Sequence, residues 1–416
     1  MVEILAVLFI LLLAILGVPL FVIMGISALT AFFFAGIDTS AVAVEIYRIA
    51  HAPTILTIPL FTFAGYLMAE SGSPKRLLRL ADACFGWIPG GVAIVSLIVC
   101  AFFTAFTGAS GVTIIALGGL LYPILKGENY SENFSLGLIT TSGSLGLLFA
   151  PSLPIILYGL VAKVDIEQLF LAGILPGILL IMVLSFWSII NGDMRFRWDK
   201  FSMVRIREAY NEAFLEVLLP VGVLVGIYGG FTTPTEAAAL SAFYVLLIEC
   251  CYYRDLHFFR DVPKIAVSSM SLVGGILLIL CCALGFTNYL VDEEIPMKIL
   301  DFMRTFLTNK YSFLLCLNLF LLVVGSLMDI FSAIIVVVPL IVPIATEFGI
   351  HPVHLAMIFL TNLEIGYITP PVGINLFISS FRFKKPVTGL YYSTFPFFIL
   401  LLLALMVITY FPKLSL

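Results

Sequence analysis

Charged side chains are scarce in this sequence, and their scarcity decides the class of the protein before any motif is considered. Only 11% of its 416 residues are charged, whereas 62% are hydrophobic. This balance lies far outside the range of soluble globular domains, so it excludes a protein whose surface is mostly in water. We infer that lipid is the solvent for most of the chain.

Several catalytic and metal-binding motifs are absent as well. The sequence has no GxxxxGK[ST], which excludes ATP hydrolysis through a P-loop, and no HExxH, which excludes an intramembrane metalloprotease of that type. Its seven cysteines form no CxxC pair, and His351 and His354 lack a third metal ligand. We therefore expect no enzyme activity, no organic cofactor and no nucleic-acid partner, and an ion gradient or a partner protein as the energy source.

What the sequence has in abundance is apolar runs long enough to cross roughly 30 Å of hydrocarbon. Examples are Leu169–Ile190, Ala213–Gly229, Ala266–Leu290 and Tyr391–Phe411. These runs predict an all-α polytopic protein that membrane lipids surround.

The basic residues predict the orientation of the chain. Fifteen of the 21 Lys and Arg residues lie at Lys126 or in the connections 71–87, 191–212, 254–264 and 382–386. By the positive-inside rule these connections face the cytoplasm, which places both termini on the opposite side. We expect a multi-pass protein of the bacterial inner membrane with both termini in the periplasm.

Two polar clusters interrupt the apolar pattern, Thr107–Gly111 and Gly325–Asp329. The apolar run after the first cluster, Val112–Leu125, would reach only about 21 Å as a helix. We therefore predict two re-entrant hairpins, each made of two half-depth helices that meet at a polar tip.

Closely spaced prolines interrupt two further apolar runs, at Ala150–Pro154 and Thr369–Gly373. Proline removes a backbone donor and clashes with the preceding turn, so each pair should unwind a helix and free several carbonyl groups. Freed carbonyls cannot face lipid, so they must be buried in protein or line a polar cavity. We predict two interrupted helices at these positions.

These breaks recur at one spacing along the chain. Pro343, Pro371, Gly366, Thr361 and Gly285 each follow a residue of the same type by 220 positions. The first hairpin opens from a basic connection and the second from the opposite side, so the repeat is inverted. Inverted repeats with broken helices are typical of secondary transporters with a binding site at mid-membrane. Ordinary proline kinks in a structural membrane protein are the alternative.

Side-chain oxygens and amides cluster around the four breaks, and hard cations such as Na⁺ prefer oxygen ligands. Each hydroxyl could instead hydrogen-bond to its own helix. The cluster comprises Thr107, Ser110, Thr113, Thr141, Ser142, Ser144, Ser152, Ser326, Ser332, Thr361, Asn362, Thr369 and Asn375.

Two carboxylates lie near the breaks. Asp329 and Glu364 are candidate cation ligands or proton carriers, because intramembrane carboxylates are usually functional. Asp329 could equally cap the helix that begins at Ile330. Glu236, in Thr232–Glu236, is interpreted as part of a helix cap.

Several motifs together are similar to the large membrane subunit of tripartite ATP-independent periplasmic (TRAP) transporters of the DctM type. They are Ile58–Gly65, Phe106–Thr113, Thr232–Ala238 and Ile365–Leu376, the last preceded by Gly349–His354. The resemblance covers nearly the whole chain. The first tip departs modestly from the family, since it has Gly111 and Val112 where many relatives have small residues.

This resemblance implies an elevator-type, Na⁺-driven importer of small organic carboxylates. A periplasmic binding protein would deliver the substrate, and a small four-helix membrane subunit would be a separate chain. Residues 1–87 and 191–310 would form a scaffold, and residues 88–190 and 311–416 a moving transport domain. An autonomous Na⁺- or H⁺-coupled carboxylate symporter or antiporter of similar architecture is the alternative.

The resemblance also implies which residues form the sites, at the two tips and the adjoining unwound segments. The Na⁺ sites would comprise Thr107, Gly108, Ser142, Ser144, Pro151, Gly325, Ser326, Asp329, Thr361, Gly366 and Pro370. The substrate would contact Ser110, Thr113, Ser152, Asn362, Thr369 and Asn375.

Overall fold

The structure is a computed structural model that describes residues 2–51, 53–192, 201–304 and 309–416. All regular secondary structure in these ranges is helical, which confirms the predicted all-α class. Arg195, Arg197 and Lys200, which contributed to the predicted orientation, lie outside the described residues.

In chain order the α-helices are α1 (Val2–Ile15), α2 (Leu20–Phe34), α3 (Ser40–Ala50), α4 (Thr57–Glu70), α5 (Ser73–Phe85), α6 (Gly91–Thr107), α7 (Ser110–Gly127), α8 (Glu132–Ser142), α9 (Leu153–Ala162), α10 (Ile166–Asn191), α11 (Met203–Tyr228), α12 (Pro234–Leu247), α13 (Val262–Asp292), α14 (Ile295–Arg304), α15 (Lys310–Leu327), α16 (Ile330–Glu347), α17 (Pro352–Gly366), α18 (Ile374–Phe383) and α19 (Val387–Tyr410).

Eight helices in the described ranges are long and apolar enough to cross a membrane. They are α7, α10, α11, α13, α15, α16, α19 and the helix that α12 forms with the π-turn extending to Tyr252. Two further pairs are bent at a short break, by 75° between α4 and α5 and by 44° between the segment 132–148 and α9. The chain is therefore polytopic, as its apolar runs predicted.

The helices of the two halves follow the same order. Helices α15 to α19 begin 219 to 221 residues after α6 to α10, respectively. Pro151 and Pro371, which differ by 220 positions, each follow a cis peptide bond. The repeat that single residues suggested therefore extends to five consecutive helices.

Helix α7 of the first hairpin is longer than the apolar run from which its half-depth was predicted. This helix has 18 residues, because Ser110 and Gly111 join its first turn and Lys126 and Gly127 its last. Its length is about 27 Å, close to the thickness of the hydrocarbon core. Polar residues at helix ends lengthen the helix without lengthening the apolar run, so the number of apolar residues underestimates the length of the helix.

The two hairpins also differ in packing. Helices α6 and α7 lie against each other, whereas α15 packs mainly against α17 and contacts α16 little. The similarity of the two polar clusters in sequence did not predict this difference.

Side-chain caps fix the start of several helices. Thr233 and Glu236 form a capping box at α12, which confirms the capping interpretation of Glu236. Ser131, Asp165 and Asn309 cap α8, α10 and α15. These caps begin the helices just outside the apolar runs.

A buried ionic cluster attaches α5 to α11 and to the residues after α12. Arg76 on α5 forms ion pairs with Glu216, with Glu249 at 2.9 Å and with Asp255 at 2.6 Å. The Arg76 guanidinium also lies 3.6 Å from the centre of the Tyr253 ring. Burial and the neighbouring Glu216 carboxylate raise the pKa of Tyr253. The amino-terminal half of α5 is thus held to the neighbouring helices.

Candidate functional site

The first tip, residues 107–110, is a tight connection between α6 and α7. Gly108 ends α6 in the left-handed region at φ +64°, which glycine adopts without strain. A Cβ atom on Gly108 would lie 2.5 Å from Cβ of Leu153, the first residue of α9. The first tip therefore packs directly on the break between α8 and α9.

Thr104, one turn before the first tip, links the tip to the same break. Its Oγ1 atom lies 2.7 Å from the Gly143 carbonyl oxygen and 2.7 Å from Thr113 Oγ1. Thr113 was among the residues predicted from the sequence, whereas Thr104 was not. A hydroxyl three residues before Thr107 in an apolar helix was the available signal, since i and i+3 share a helix face.

A hydrogen bond between two predicted site residues joins the two halves of the molecule. Ser110 Oγ donates to Asn375 Oδ1 at 2.7 Å, and Asn375 Nδ2 donates to the Thr140 carbonyl oxygen at 3.1 Å. Ser110 and Asn375 are both buried. The first tip, α8 and the start of α18 therefore meet at one polar point.

The second tip, residues 325–329, meets the break between α17 and α18. The Gly373 amide donates to the Ser326 carbonyl oxygen at 3.1 Å. The Ile330 amide donates to the Tyr367 hydroxyl at 2.7 Å. Each tip therefore contacts the interrupted helix of its own half.

Two predicted site glycines touch at the second tip. A Cβ atom on Gly366 would lie 2.6 Å from the Gly325 Cα atom, so the backbones of α15 and α17 are in contact there. Side chains at either position would separate the helices. Gly325 and Gly366 thus bring two helices close enough for backbone carbonyls to approach one site.

Asp329 caps α16, the structural alternative considered for it. Its Oδ2 accepts from the Ser332 amide at 2.9 Å, and its Oδ1 accepts from Ser332 Oγ at 2.5 Å. Each carboxylate oxygen has further lone pairs, so the capping role leaves room for a cation.

Most of the remaining candidate hydroxyls bond to their own helix or turn. Ser142, Ser144 and Ser326 donate to the carbonyl three residues earlier, and Thr361 and Thr369 to the carbonyl four residues earlier. Thr107 Oγ1 lies 3.5 Å from the Ala109 amide nitrogen. In this conformation the five donating hydroxyls can offer a ligand the lone pairs of their oxygens but not their protons.

Some buried oxygens near the breaks have no hydrogen-bond partner among the described residues. They are Thr141 Oγ1, Ser152 Oγ, Asn362 Oδ1 and both carboxyl oxygens of Glu364. Buried polar atoms are costly without a partner, so these atoms are candidate ligand contacts. Pro151 is buried beside Ser152, whereas Pro370 is exposed and Thr369 partly exposed.

Sequence reasoning also missed Asn318, which lies inside the apolar helix α15. Asn362 Nδ2 donates to its Oδ1 at 2.7 Å. A lone amide in an apolar run was the available signal.

The chain is similar in sequence to known membrane transport proteins. The family model described as "Tripartite ATP-independent periplasmic transporter, DctM component" matches residues 6–414. The chain is 34% identical over 397 residues to the C4-dicarboxylate TRAP transporter large permease protein DctM of Pseudomonas aeruginosa, with 94% of this chain and 92% of that protein covered. It is 31% identical over 367 residues to the sialic acid TRAP transporter large permease protein SiaM of Vibrio cholerae, covering 87% and 85%.

A longer relative and a solved structure complete the comparison. The isethionate TRAP transporter permease protein DctMQ of Oleidesulfovibrio alaskensis is 35% identical over 407 residues, which are 95% of this chain but only 63% of that protein. The crystal structure of the Alcanivorax borkumensis YdaH transporter superposes with a TM-score of 0.64 at 12% identity, covering 89% of this chain and 86% of that one. The last similarity concerns the fold alone.

Proposed function

We infer a function for this chain from its family, since it belongs to the DctM component family of tripartite ATP-independent periplasmic transporters. We propose that it imports a small organic carboxylate with Na⁺ as the coupling ion. It is a multi-pass membrane protein of a transporter permease family, and not an enzyme. The proposal places it in the bacterial inner membrane with both termini in the periplasm.

The observation that carries the proposal is the contact of each polar tip with the interrupted helix of its own half. Breaks in helices leave carbonyl groups unpaired, and the tips add hydroxyls and a carboxylate. The segments 104–113, 139–154, 323–332 and 358–376 contain no Lys or Arg. Such a set of oxygens without a fixed positive charge suits a bare cation such as Na⁺.

The substrate would lie where the two halves meet. Ser110 and Asn375 join the halves, and the amino-terminal ends of α7 and α18 lie at this point, where the partial positive charge of a helix start favours an anion. Relatives named for C4-dicarboxylate and sialic acid support a carboxylate as substrate. We propose that a periplasmic binding protein delivers it and that a small four-helix subunit completes the membrane complex.

Uptake by proteoliposomes tests this function. The chain is reconstituted with and without the candidate small subunit and binding protein, and a panel of radiolabelled carboxylates is supplied. We expect uptake of at least one carboxylate that needs an inward Na⁺ gradient and the binding protein and that survives collapse of the proton gradient. Uptake indifferent to Na⁺ would contradict Na⁺ coupling, and Na⁺-driven uptake without the binding protein would support an autonomous symporter instead.

We further propose that residues 88–190 and 311–416 move as a transport domain against a scaffold of residues 1–87 and 191–310. Single cysteines at Ser110 and Ser326, in a chain without its native cysteines, report this movement. Both positions are buried here. When Na⁺ and substrate are added, we expect labelling of these cysteines from one side of the membrane to increase and labelling from the other side to decrease. Labelling from one side under every condition would refute the movement.

A further inference from the structure

A chain of buried polar side chains runs between α17, α19 and α15. His354 Nε2 lies 3.2 Å from the Thr409 carbonyl oxygen, and Asn318 Nδ2 donates to Thr409 Oγ1 at 3.1 Å. Asn362 Nδ2 then donates to Asn318 Oδ1 at 2.7 Å. All four side chains are at most 1% exposed. We call His354, Thr409, Asn318 and Asn362 the polar relay.

The relay has a defined direction. A carbonyl oxygen can only accept, so His354 must carry its proton on Nε2. Asn318 can donate to Thr409 only through Nδ2, which turns its Oδ1 toward Asn362. The Thr409 hydroxyl can donate or accept, so the two amides are oriented from the other end, where the Ile358 carbonyl oxygen can only accept from Asn362 Nδ2.

At its end the relay orients one free oxygen. Asn362 Nδ2 donates both to Asn318 Oδ1 at 2.7 Å and to the Ile358 carbonyl oxygen at 2.8 Å. The opposite amide orientation would bring Asn362 Oδ1 against two acceptors, so it is excluded. Oδ1 is left buried with no partner among the described residues. It can only accept, so its complement is a cation or a donor.

The free oxygen belongs to a residue one turn from the second tip. Asn362 precedes Gly366 by four residues on α17, and Gly366 touches Gly325 on α15. Asn318 lies two turns before Gly325 on the same helix. The relay therefore runs in the interface between α15 and α17 that ends at the glycine contact.

We propose that Asn362 Oδ1 is a ligand of the Na⁺ bound at the second tip and that Asn318 is the residue that positions it. This inference rests on the proposed Na⁺ coupling, and it moves Asn362 from the substrate contacts to the cation ligands. Residues that orient a metal ligand commonly change metal affinity by 10- to 100-fold when they are removed.

Equilibrium binding of radioactive Na⁺ to the purified full chain in nanodiscs tests the relay without substrate or partner proteins. Asn318→Leu should raise the Na⁺ concentration for half-saturation by about tenfold, the lower end of that range. Thr409→Val, which removes the acceptor that holds Asn318, should raise it by less. Thr409→Ser keeps the hydroxyl and should restore the wild-type value.

Thr394→Val is the matched control. Thr394 lies on α19 like Thr409, is buried, and its hydroxyl donates to the Leu390 carbonyl oxygen at 2.9 Å, outside the relay. We expect this variant to bind Na⁺ as the wild type does. Equal Na⁺ affinity of the folded Asn318→Leu and Thr394→Val variants would overturn the inference. Absence of Na⁺ binding by the wild type would instead overturn the proposed coupling.

Discussion

Ser110 Oγ and Asn375 Oδ1 are 2.7 Å apart although 265 residues separate them in sequence. Ser110 begins α7 and Asn375 lies in the first turn of α18, so this hydrogen bond joins the first tip to the interrupted helix of the other half. The two halves of the repeat are therefore in polar contact at this point.

This relationship predicts that the two side chains act together. Ser110→Ala and Asn375→Ala should each reduce carboxylate uptake. The double variant should transport nearly as well as the less active of the two single variants, because residues in contact have non-additive effects. Uptake by proteoliposomes, corrected for the amount of folded protein, measures this. Ser96→Ala is the control, since Ser96 Oγ is buried and donates only to the Val92 carbonyl oxygen at 2.8 Å. Fully additive losses would contradict a shared role.

The contact between Gly325 and Gly366 predicts strong steric sensitivity. Gly366→Ala should separate α15 from α17 and destabilise the protein by about 1–3 kcal/mol, as overpacking of a tight core does. Thermal denaturation in detergent measures the loss. Gly274→Ala on α13 should not destabilise the protein, because apart from the adjacent backbone of its own helix no described atom lies within 4 Å of a Cβ placed there. A Gly366→Ala variant as stable as Gly274→Ala would show that the helices can separate without cost.

The cap at α16 can be separated from a charge-based role of the same residue. Asp329→Asn should keep the cap and hence the stability, since Asn and Asp cap equally well, whereas Asp329→Ala should lose about 1 kcal/mol. If the carboxylate also binds Na⁺, Asp329→Asn should still weaken Na⁺ binding. Thermal denaturation and Na⁺ binding on the same samples distinguish the two roles. Unchanged Na⁺ affinity in Asp329→Asn would leave Asp329 with the capping role alone.

The ionic cluster around Arg76 predicts a large loss of stability. The side chains of Glu216 and Glu249 are each 2% exposed, so Arg76→Met would leave two buried carboxylates without their cation. Removing one partner of a buried ion pair costs about 3–5 kcal/mol. Arg79→Met should cost less than about 1 kcal/mol, because Arg79 and Glu212 are 67% and 50% exposed. Thermal denaturation of the two variants should therefore differ clearly, and similar midpoints would argue against the cluster as an anchor.

Local chemistry explains what the sequence could predict. Pro151 and Pro371 cannot continue a helix, and Thr233, Pro234 and Glu236 form a cap from adjacent positions, so these features were visible without a structure. The 220-residue spacing of such residues predicted the repeat. The family motifs then predicted the site segments, which include Ser110 and Asn375, but not the hydrogen bond between these two residues.

Contacts between distant helices explain what the sequence could not predict. Asn318, Thr409 and His354 look like isolated polar residues until α15, α17 and α19 are packed together. The three carboxylates that pair with Arg76 lie 140 residues or more after it in the sequence. Neither the local pattern nor the repeat contains this information, because hydrogen-bond partners depend on which faces of the helices meet.

The attachment of α5 by Arg76 has a mechanical consequence for the first hairpin. Only residues 86–90 connect α5 to α6. The six residue steps from Phe85 to Gly91 reach at most about 22 Å when fully extended. Since Arg76 holds α5 to its neighbours, this short tether sets an upper limit on how far the start of α6 can travel from the end of α5, however large the movement of the other half.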